Sequence, residues 1–343
     1  MKTFEKLNTG MINTPIHKLD NISRDLECNI YIKRDDLTGY AFGGNKLRKL
    51  DYLLADALNK NCDTLLTYGG PQTNHGRLTA AVAARFGLKC IIIMDGDKPA
   101  KPTANLILDK MMNADLYFLN DTQYRGQEDF EQIYHNLKEE KTNEVLKEYE
   151  ALGHVVYVIP VGGSSTLGAL GYFDASAEIN QQVKSMGINL DYLVVAFGSA
   201  GTYAGLLLGK KQLGLDYGVI GISVSHKSDE MIQKDIRYMN DISQEFDLGI
   251  RISSDDVWIE NGFVQNGYNI PDKETRQCIY YVARQEAIIL DPCYTGKAFN
   301  GMMNLIQTGA ILKGSNILFL HTGGTPGIFS ENHLSEFQAE LWD

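Results

Sequence analysis

Lys46 is the residue of this chain best placed for covalent chemistry. It stands in Asn45-Lys46-Leu47-Arg48-Lys49, directly behind Gly43-Gly44 and ahead of Leu50, Leu54 and Leu58, which continue from Leu47 at helical spacing. An imine-forming enzyme needs an unprotonated amine. A lysine of ordinary pKa, ~10.4, is neutral at pH 7 only at a cost of about 4.6 kcal/mol. The spacing predicts that Lys46 lies in the first helical turn, at the positive end of the dipole, with Lys49 on the same face. Dipole and like charge both disfavour the ammonium form, as a Schiff-base lysine requires. A solvated basic helix start would carry the same residues.

Glycine-rich turns follow apolar runs elsewhere and could gather around that amine. After Leu193–Phe197 comes Gly198-Ser199-Ala200-Gly201-Thr202-Tyr203-Ala204-Gly205, leading into Leu206-Leu207-Leu208. A turn between a buried strand and a helix offers backbone N–H groups to a phosphate, although a glycine turn needed only for close packing reads the same. It lacks the dinucleotide fingerprint, and Val219–Val224 does not end in the acid that would hold a ribose, which disfavours a nicotinamide cofactor. Ser199 also lacks the frame of a hydrolase elbow. Gly69-Gly70-Pro71-Gln72-Thr73-Asn74-His75-Gly76-Arg77 brings a threonine, an asparagine and free amides to another helix start. That suits a carboxylate, while Thr73 as a plain N-cap and His75 as a surface residue stay open. Gly162-Gly163-Ser164-Ser165-Thr166 follows Val155–Pro160 in the same manner. Tyr294, in Asp291-Pro292-Cys293-Tyr294-Thr295-Gly296-Lys297, and the segment His321-Thr322-Gly323-Gly324 complete the set. A tyrosine there could equally be a core residue with one hydrogen bond.

These turns need a scaffold. Apolar runs at 63–68, 90–94, 155–159, 192–197, 218–224 and 316–320 alternate with amphipathic stretches, which predicts a parallel α/β architecture with ligands at the carboxyl ends of the strands. With 343 residues and 44% apolar content, the chain is expected to form two domains. The charge run 121–151 carries Phe130, Ile133, Leu137, Val145 and Leu146 at roughly helical spacing, predicting a solvated surface helix or helix pair that closes the smaller domain. Leu334, Phe337 and Leu341 predict a terminal helix docked on the body or on a partner subunit.

A net charge of -11 argues against nucleic acid or an anionic membrane as partner, so an anionic ligand needs a local site. The N-terminal MKTFEKLNTGM has no apolar stretch of signal-peptide length, and Cys90–Met94 is far too short for a bilayer, so a cytoplasmic location is expected. Cysteines 28, 62, 90, 278 and 293 show neither C-x-x-C spacing nor a companion histidine pattern; reduced thiols, no disulfides and no metal site are expected.

In order along the chain, Thr14-Pro15-Ile16, Tyr31-Ile32-Lys33-Arg34-Asp35-Asp36, the 43–50 segment, Gln72-Thr73-Asn74-His75, Pro160–Gly168, Gly198–Gly205, Asp291–Lys297 and His321–Gly324 resemble the pyridoxal-phosphate enzymes of fold type II. The resemblance is to the group containing D-cysteine desulfhydrase and 1-aminocyclopropane-1-carboxylate deaminase. It implies two open twisted sheets with flanking helices, like the tryptophan synthase β-subunit, with 1–48 plus 161–343 as the large cofactor domain, 49–160 as the small one, and a homodimer. It also implies that Lys46 carries the cofactor and Asn74 hydrogen-bonds its phenolic oxygen. Gly198, Ser199, Ala200, Gly201 and Thr202 with Lys49 would hold the phosphate, and Thr322 would complete the cofactor site. Thr73, Asn74, His75 and Ser164 would face the substrate. Tyr294 would be catalytic, joined by Tyr268 in Gly267-Tyr268-Asn269-Ile270-Pro271.

Within that group, the deaminases carry a glutamate after the tyrosine and a leucine before the Gly-Gly pair; this chain has Thr295 and Thr322, as desulfhydrases do. A carboxylate at the pyridine nitrogen deepens the electron sink, whereas a neutral hydroxyl gives a weaker sink suited to β-elimination. Desulfhydrases usually have serine at the place of Thr73, a valine-like residue at Gly76 and isoleucine at Pro71. The expected activity is α,β-elimination of D-cysteine to pyruvate, ammonia and hydrogen sulfide. Alternatives are L-cysteine, cysteate, diaminopropionate or D-serine, 1-aminocyclopropane-1-carboxylate deamination, a non-catalytic cofactor-binding protein, and a hydrolase built on Ser199. A basic residue beside Ser164–Ser165 would favour the sulfonate.

Overall fold

Apolar runs become strands where both faces are covered. The computed structural model describes residues 4–11 and 13–342; Met1–Thr3, which open the N-terminal run read above, lie outside the described residues. Its strands are β1 (Ile16–Lys18), β2 (Asn29–Arg34), β3 (Thr64–Gly69), β4 (Lys89–Met94), β5 (Asp115–Phe118), β6 (Val156–Val158), β7 (Tyr192–Phe197), β8 (Gly218–Ser223), β9 (Trp258–Glu260) and β10 (Asn316–His321). Its helices are α1 (Asp20–Leu26), α2 (Lys46–Asn59), α3 (Asn74–Phe86), α4 (Asn105–Met111), α5 (Phe130–Ala151), α6 (Thr166–Ser185), α7 (Gly201–Gln212), α8 (Asp229–Glu245), α9 (Lys273–Glu286), α10 (Thr295–Gln307) and α11 (Glu331–Trp342).

Two sheets result. One has the order β1-β2-β10-β7-β8-β9, the other β5-β4-β3-β6, and every pairing is parallel except β1 with β2. In β10, Leu318 and Leu320 join the core against α6, α7 and α8, while Ile317 and Phe319 join the core against α1, α9 and α10. That is the two-residue alternation of a strand covered on both faces. In the other sheet, Leu65, Cys90 and Ile92 face α2 and α3, while Leu66, Ile91 and Ile93 face α5. All six predicted runs form strands. The unpredicted β1, β5 and β9 are short and keep at least part of their surface open, and β2 mixes Ile30 and Ile32 with polar residues. Residues 130–151 form a single solvated helix, with Val145 and Tyr149 buried. Helix α11 docks on the body: the Phe337 ring lies 5.8 Å from that of Tyr280, and Glu340 accepts from Arg276 and Tyr280.

Helix α2 starts at Lys46 and is anchored two residues later. Arg48 donates through Nε and Nη2 to Asp35 at 2.7 and 2.9 Å, and through Nη1 and Nη2 to Glu178 of α6 at 2.7 and 2.9 Å. Tyr172 of α6 also donates to Asp35, and Lys33 pairs with Glu178. Burial by itself would raise the Asp35 pKa; the Arg48 charge and its hydrogen bonds outweigh that and hold it at about 2. Gly171 lets α6 meet α2 backbone to backbone, since a Cβ there would lie 2.2 Å from the Arg48 carbonyl oxygen.

Helix α3 begins with the residues that depart from the desulfhydrase pattern, and here they explain one another. Gly70–Thr73 is a turn closed by Thr73 N donating to Gly70 O at 2.9 Å, with Pro71 at the position where its fixed φ fits. Thr73 caps the helix, its Oγ1 accepting from Gly76 N at 3.1 Å. The cap leaves the Thr73 methyl over residue 76, where a Cβ would sit 2.4 Å from Thr73 Cγ2 and 3.1 Å from Ile92 Cδ1. The added methyl therefore goes with the glycine.

Three outcomes follow for stability. Arg48→Met should lower unfolding free energy by about 3–5 kcal/mol in urea denaturation, because it strands buried carboxylates. Asp35 lies below its unfolded pKa, so its contribution in the native protein is full above about pH 4 and is lost as pH falls toward 2. Gly76→Ala should cost about 1–3 kcal/mol by crowding, with Thr73→Ser in the same chain restoring most of it; a thermal melt showing that Gly76→Ala alone stabilises would refute the clash.

Candidate active site

The carboxyl ends of β3, β7 and β10 open on one cavity of about 270 Å³. Lys46, Thr73, Asn74, His75, Gly198, Ser199, Ala200, Thr202, Tyr268, Tyr294 and Thr322 all line it. Lys49, Gly201 and Ser164 form a second layer behind that wall. Asn45, named in the sequence only as the start of the Lys46 motif, also lines the cavity, as do Asp95 and Ser225, which nothing in the sequence sets apart from other polar residues beside a turn.

Lys46 leads α2, and its pKa is lowered to about 8. Burial is the main cause. The like charge expected from the sequence shows on Lys49, which burial and then Lys46 push well below the lysine range. Lys49 is fully buried and donates to Gly162 O at 3.2 Å and Ser164 Oγ at 3.3 Å. Asn45 holds the start of the helix in place: its N donates to Thr322 O at 3.0 Å and its Nδ2 to Thr202 Oγ1 at 2.9 Å.

The second layer is shaped for an anion. Helix α7 starts at Gly201 with no side-chain cap, and Ala200 before it has φ 59°. A Cβ on Gly201 would sit 2.7 Å from Lys49 Nζ and 2.9 Å from Ser164 Oγ, so only glycine leaves that space open. A buried lysine amine whose hydrogen bonds, among the described residues, go to a carbonyl and a hydroxyl, beside an uncapped helix N-terminus, fits a phosphate, whose charge would favour the ammonium form. With Lys46 Nζ 3.3 Å from where a Gly162 Cβ would lie, the same wall presents an amine for covalent attachment. The residues present thus fit pyridoxal phosphate.

Opposite stands the head of α3. The N-cap bond uses a lone pair of Thr73, leaving its hydroxyl proton free to donate, so capping and carboxylate binding are compatible. His75 is buried rather than at the surface: it is 2% exposed, neither ring nitrogen has a partner among the described residues, and burial with the charges of Lys46 and Lys49 keeps it neutral. Ser199 accepts from Ser164 at 2.8 Å instead of meeting a histidine, so it has no base of the kind a hydrolase needs.

At the mouth, the hydroxyls of Tyr268 and Tyr294 share a hydrogen bond, with ring centroids 5.9 Å apart. Burial raises the pKa of the Tyr294 phenol; the Tyr268 ring is half exposed, but its hydroxyl faces Tyr294 and its pKa is raised as well, so both keep their protons. Asp291 sets the Tyr294 turn by accepting from the backbone N–H of Cys293, Tyr294 and Thr295 at 2.9, 2.9 and 2.7 Å. Thr295 donates its hydroxyl to the same carboxylate at 2.6 Å and does not reach the cavity. Of the two threonines that mark this chain, only Thr322 lines the site.

The family described as "Pyridoxal-phosphate dependent enzyme" matches residues 7–323. A Pyrococcus abyssi (strain GE5 / Orsay) protein provisionally named 1-aminocyclopropane-1-carboxylate deaminase is 38% identical over 341 residues, covering 99% of this chain and 97% of the relative. The crystal structure of an ACC deaminase homologue superimposes with a TM-score of 0.84 at 36% identity, covering 99% of this chain and 96% of that one. The processed form of threonine deaminase isoform 2 from Solanum lycopersicum shares the fold at a TM-score of 0.64 and 17% identity, covering 97% of this chain and 84% of that one. With that match spanning nearly its whole length, the chain belongs to the pyridoxal-phosphate-dependent enzymes, in their fold type II.

Proposed function

We propose that this enzyme is a lyase that releases ammonia and a 2-oxo acid from a small amino acid. One observation carries the reading: an amine with its pKa lowered to about 8 shares a cavity with Thr73, Asn74 and a proton-bearing Tyr294. Bound there, pyridoxal phosphate supplies an electron sink for the bond broken at the α-carbon. Lys46 Nζ takes the α-proton, for which its neutral form is needed. Thr73 and Asn74, with the first amides of α3, orient the substrate carboxylate. Tyr294 gives its proton toward the leaving group, and Tyr268 holds that hydroxyl in place.

Two substrates come into question. The α-proton step applies only to the first, because the α-carbon of 1-aminocyclopropane-1-carboxylate carries no hydrogen, and with the second the Lys46 amine would act as base on a ring methylene instead. D-cysteine with water would yield pyruvate, ammonia and hydrogen sulfide; Thr322 supports it, standing as a neutral hydroxyl where deaminases carry leucine, with no glutamate at position 295. 1-Aminocyclopropane-1-carboxylate with water would yield 2-oxobutyrate and ammonia; the names of the relatives at 38% and 36% identity support it, and on kinship it is the stronger reading. Cysteate draws little support, because Lys49, the base beside Ser164, already belongs to the anion cradle.

A panel of D-cysteine, L-cysteine, D-serine and 1-aminocyclopropane-1-carboxylate, read out as pyruvate, 2-oxobutyrate and sulfide, separates these readings. Sulfide from D-cysteine without 2-oxobutyrate from the cyclopropane supports the first, and the converse supports the second. Lys46→Ala should lose the visible band of bound cofactor and all turnover while keeping its circular dichroism; turnover retained under excess cofactor would remove both. Cofactor uptake by the apoprotein should rise roughly tenfold per pH unit below about 8 and then level, as the neutral fraction of Lys46 does.

A further inference from the structure

Asn74 could present either end of its amide to the cavity, and its neighbours leave it one choice. Arg77 Nη2 donates to Asn74 Oδ1 at 3.2 Å, and Asn105 Nδ2 donates to the same oxygen at 3.0 Å. A guanidinium has only donors, so the atom facing it is the amide oxygen on chemical grounds. Asn105 is fixed in the same way, since its Nδ2 also donates to the backbone carbonyl of Gln72 at 2.9 Å. What remains for the cavity is Asn74 Nδ2, a donor.

The other contacts of Arg77 run to the strap that leads into Lys46. Nη1 donates to Ala41 O, and Nη2 to Gly43 O at 3.3 Å. That strap is left-handed at Ala41 (φ 45°), Phe42 (φ 68°) and Gly43 (φ 60°), a run that L residues keep only where the surroundings hold it. Arg77 itself is fully buried, and among the described residues no carboxylate hydrogen-bonds it; Asp109 and Asp291 act on it through space, with both Asp109 oxygens and Arg77 Nε unpartnered among those residues. Its hydrogen bonds go to the strap and to Asn74.

We propose that Arg77, together with Asn105, is a positioning residue that locks Asn74 with Nδ2 toward the cavity and ties it to the strap ahead of Lys46. The inference rests on the reading in which Asn74 meets the phenolic oxygen of pyridoxal phosphate. A donor held there favours the ionised oxygen, and the guanidinium behind it polarises the amide in the same sense.

The test uses holoenzyme carrying Asn105→Ala, Arg77→Lys, Asn74→Ala, and Asn74→Ala with Asn105→Ala. The readouts are the pH titration of the visible band, the cofactor dissociation constant and the melting temperature. Asn105→Ala and Arg77→Lys should each raise the midpoint of the band titration by up to about one pH unit and weaken cofactor binding by as much as about tenfold. Asn105→Ala should add nothing once Asn74 is alanine. A lower melting temperature with an unmoved titration in both variants would overturn the proposal, as would an undiminished effect of Asn105→Ala without Asn74. If Asn74→Ala itself leaves the band unmoved, the underlying reading of Asn74 fails, which is a separate result.

Discussion

The fork of Arg48 between Asp35 and Glu178 sets the rotation of α2, and the site depends on that rotation. At about 100° per residue, Lys46, Arg48 and Lys49 leave the helix in three directions. They point to the cavity, to the buried acids behind it, and to the anion cradle beside α7. Two buried amines within one turn repel each other and their apolar surroundings alike. Such a helix would turn its charges to water unless something else fixed it. Arg48 fixes it from the rear, and the contact at Gly171 adds the weight of α6.

Much of this was legible in the sequence because the carriers of chemistry sit in turns, and turns are written in glycine, proline and small polar residues. The Lys46 helix start, the heads of α3 and α7, and the Tyr294 turn, read from the sequence as places where ligands would gather, come together around one cavity. Six strands read from apolar runs for the same reason that their burial is two-sided. Short edge strands such as β9 bury too little to leave a run, and β2 hides its inward Ile30 and Ile32 among polar neighbours. The burial that lowers the Lys46 pKa could not be read, since burial is a property of the assembled walls. Nor could the work of Arg77 and Asp291, whose partners come from distant or backbone atoms that no spacing displays.

Thr295 illustrates a different limit. A residue type can match a pattern while its side chain serves another purpose; here the hydroxyl closes the Asp291 turn. Of the two threonines, only Thr322, at the place where deaminases carry leucine, lines the cavity. By the same logic Thr73 and Gly76 make one feature rather than two, because the methyl of the first occupies the volume that a side chain on the second would need.

The enzyme binds an anionic cofactor although the whole chain carries a net charge of -11. Far from the protein, a phosphate-bearing molecule meets repulsion; only near the cradle of Lys49 and α7 does the local field turn attractive. Salt screens the distant repulsion first, since at 0.1 M it fades beyond ~10 Å, while the buried cradle is screened much less. Capture of the cofactor should therefore be faster in moderate salt than in its absence, the reverse of what a basic protein does with an anion.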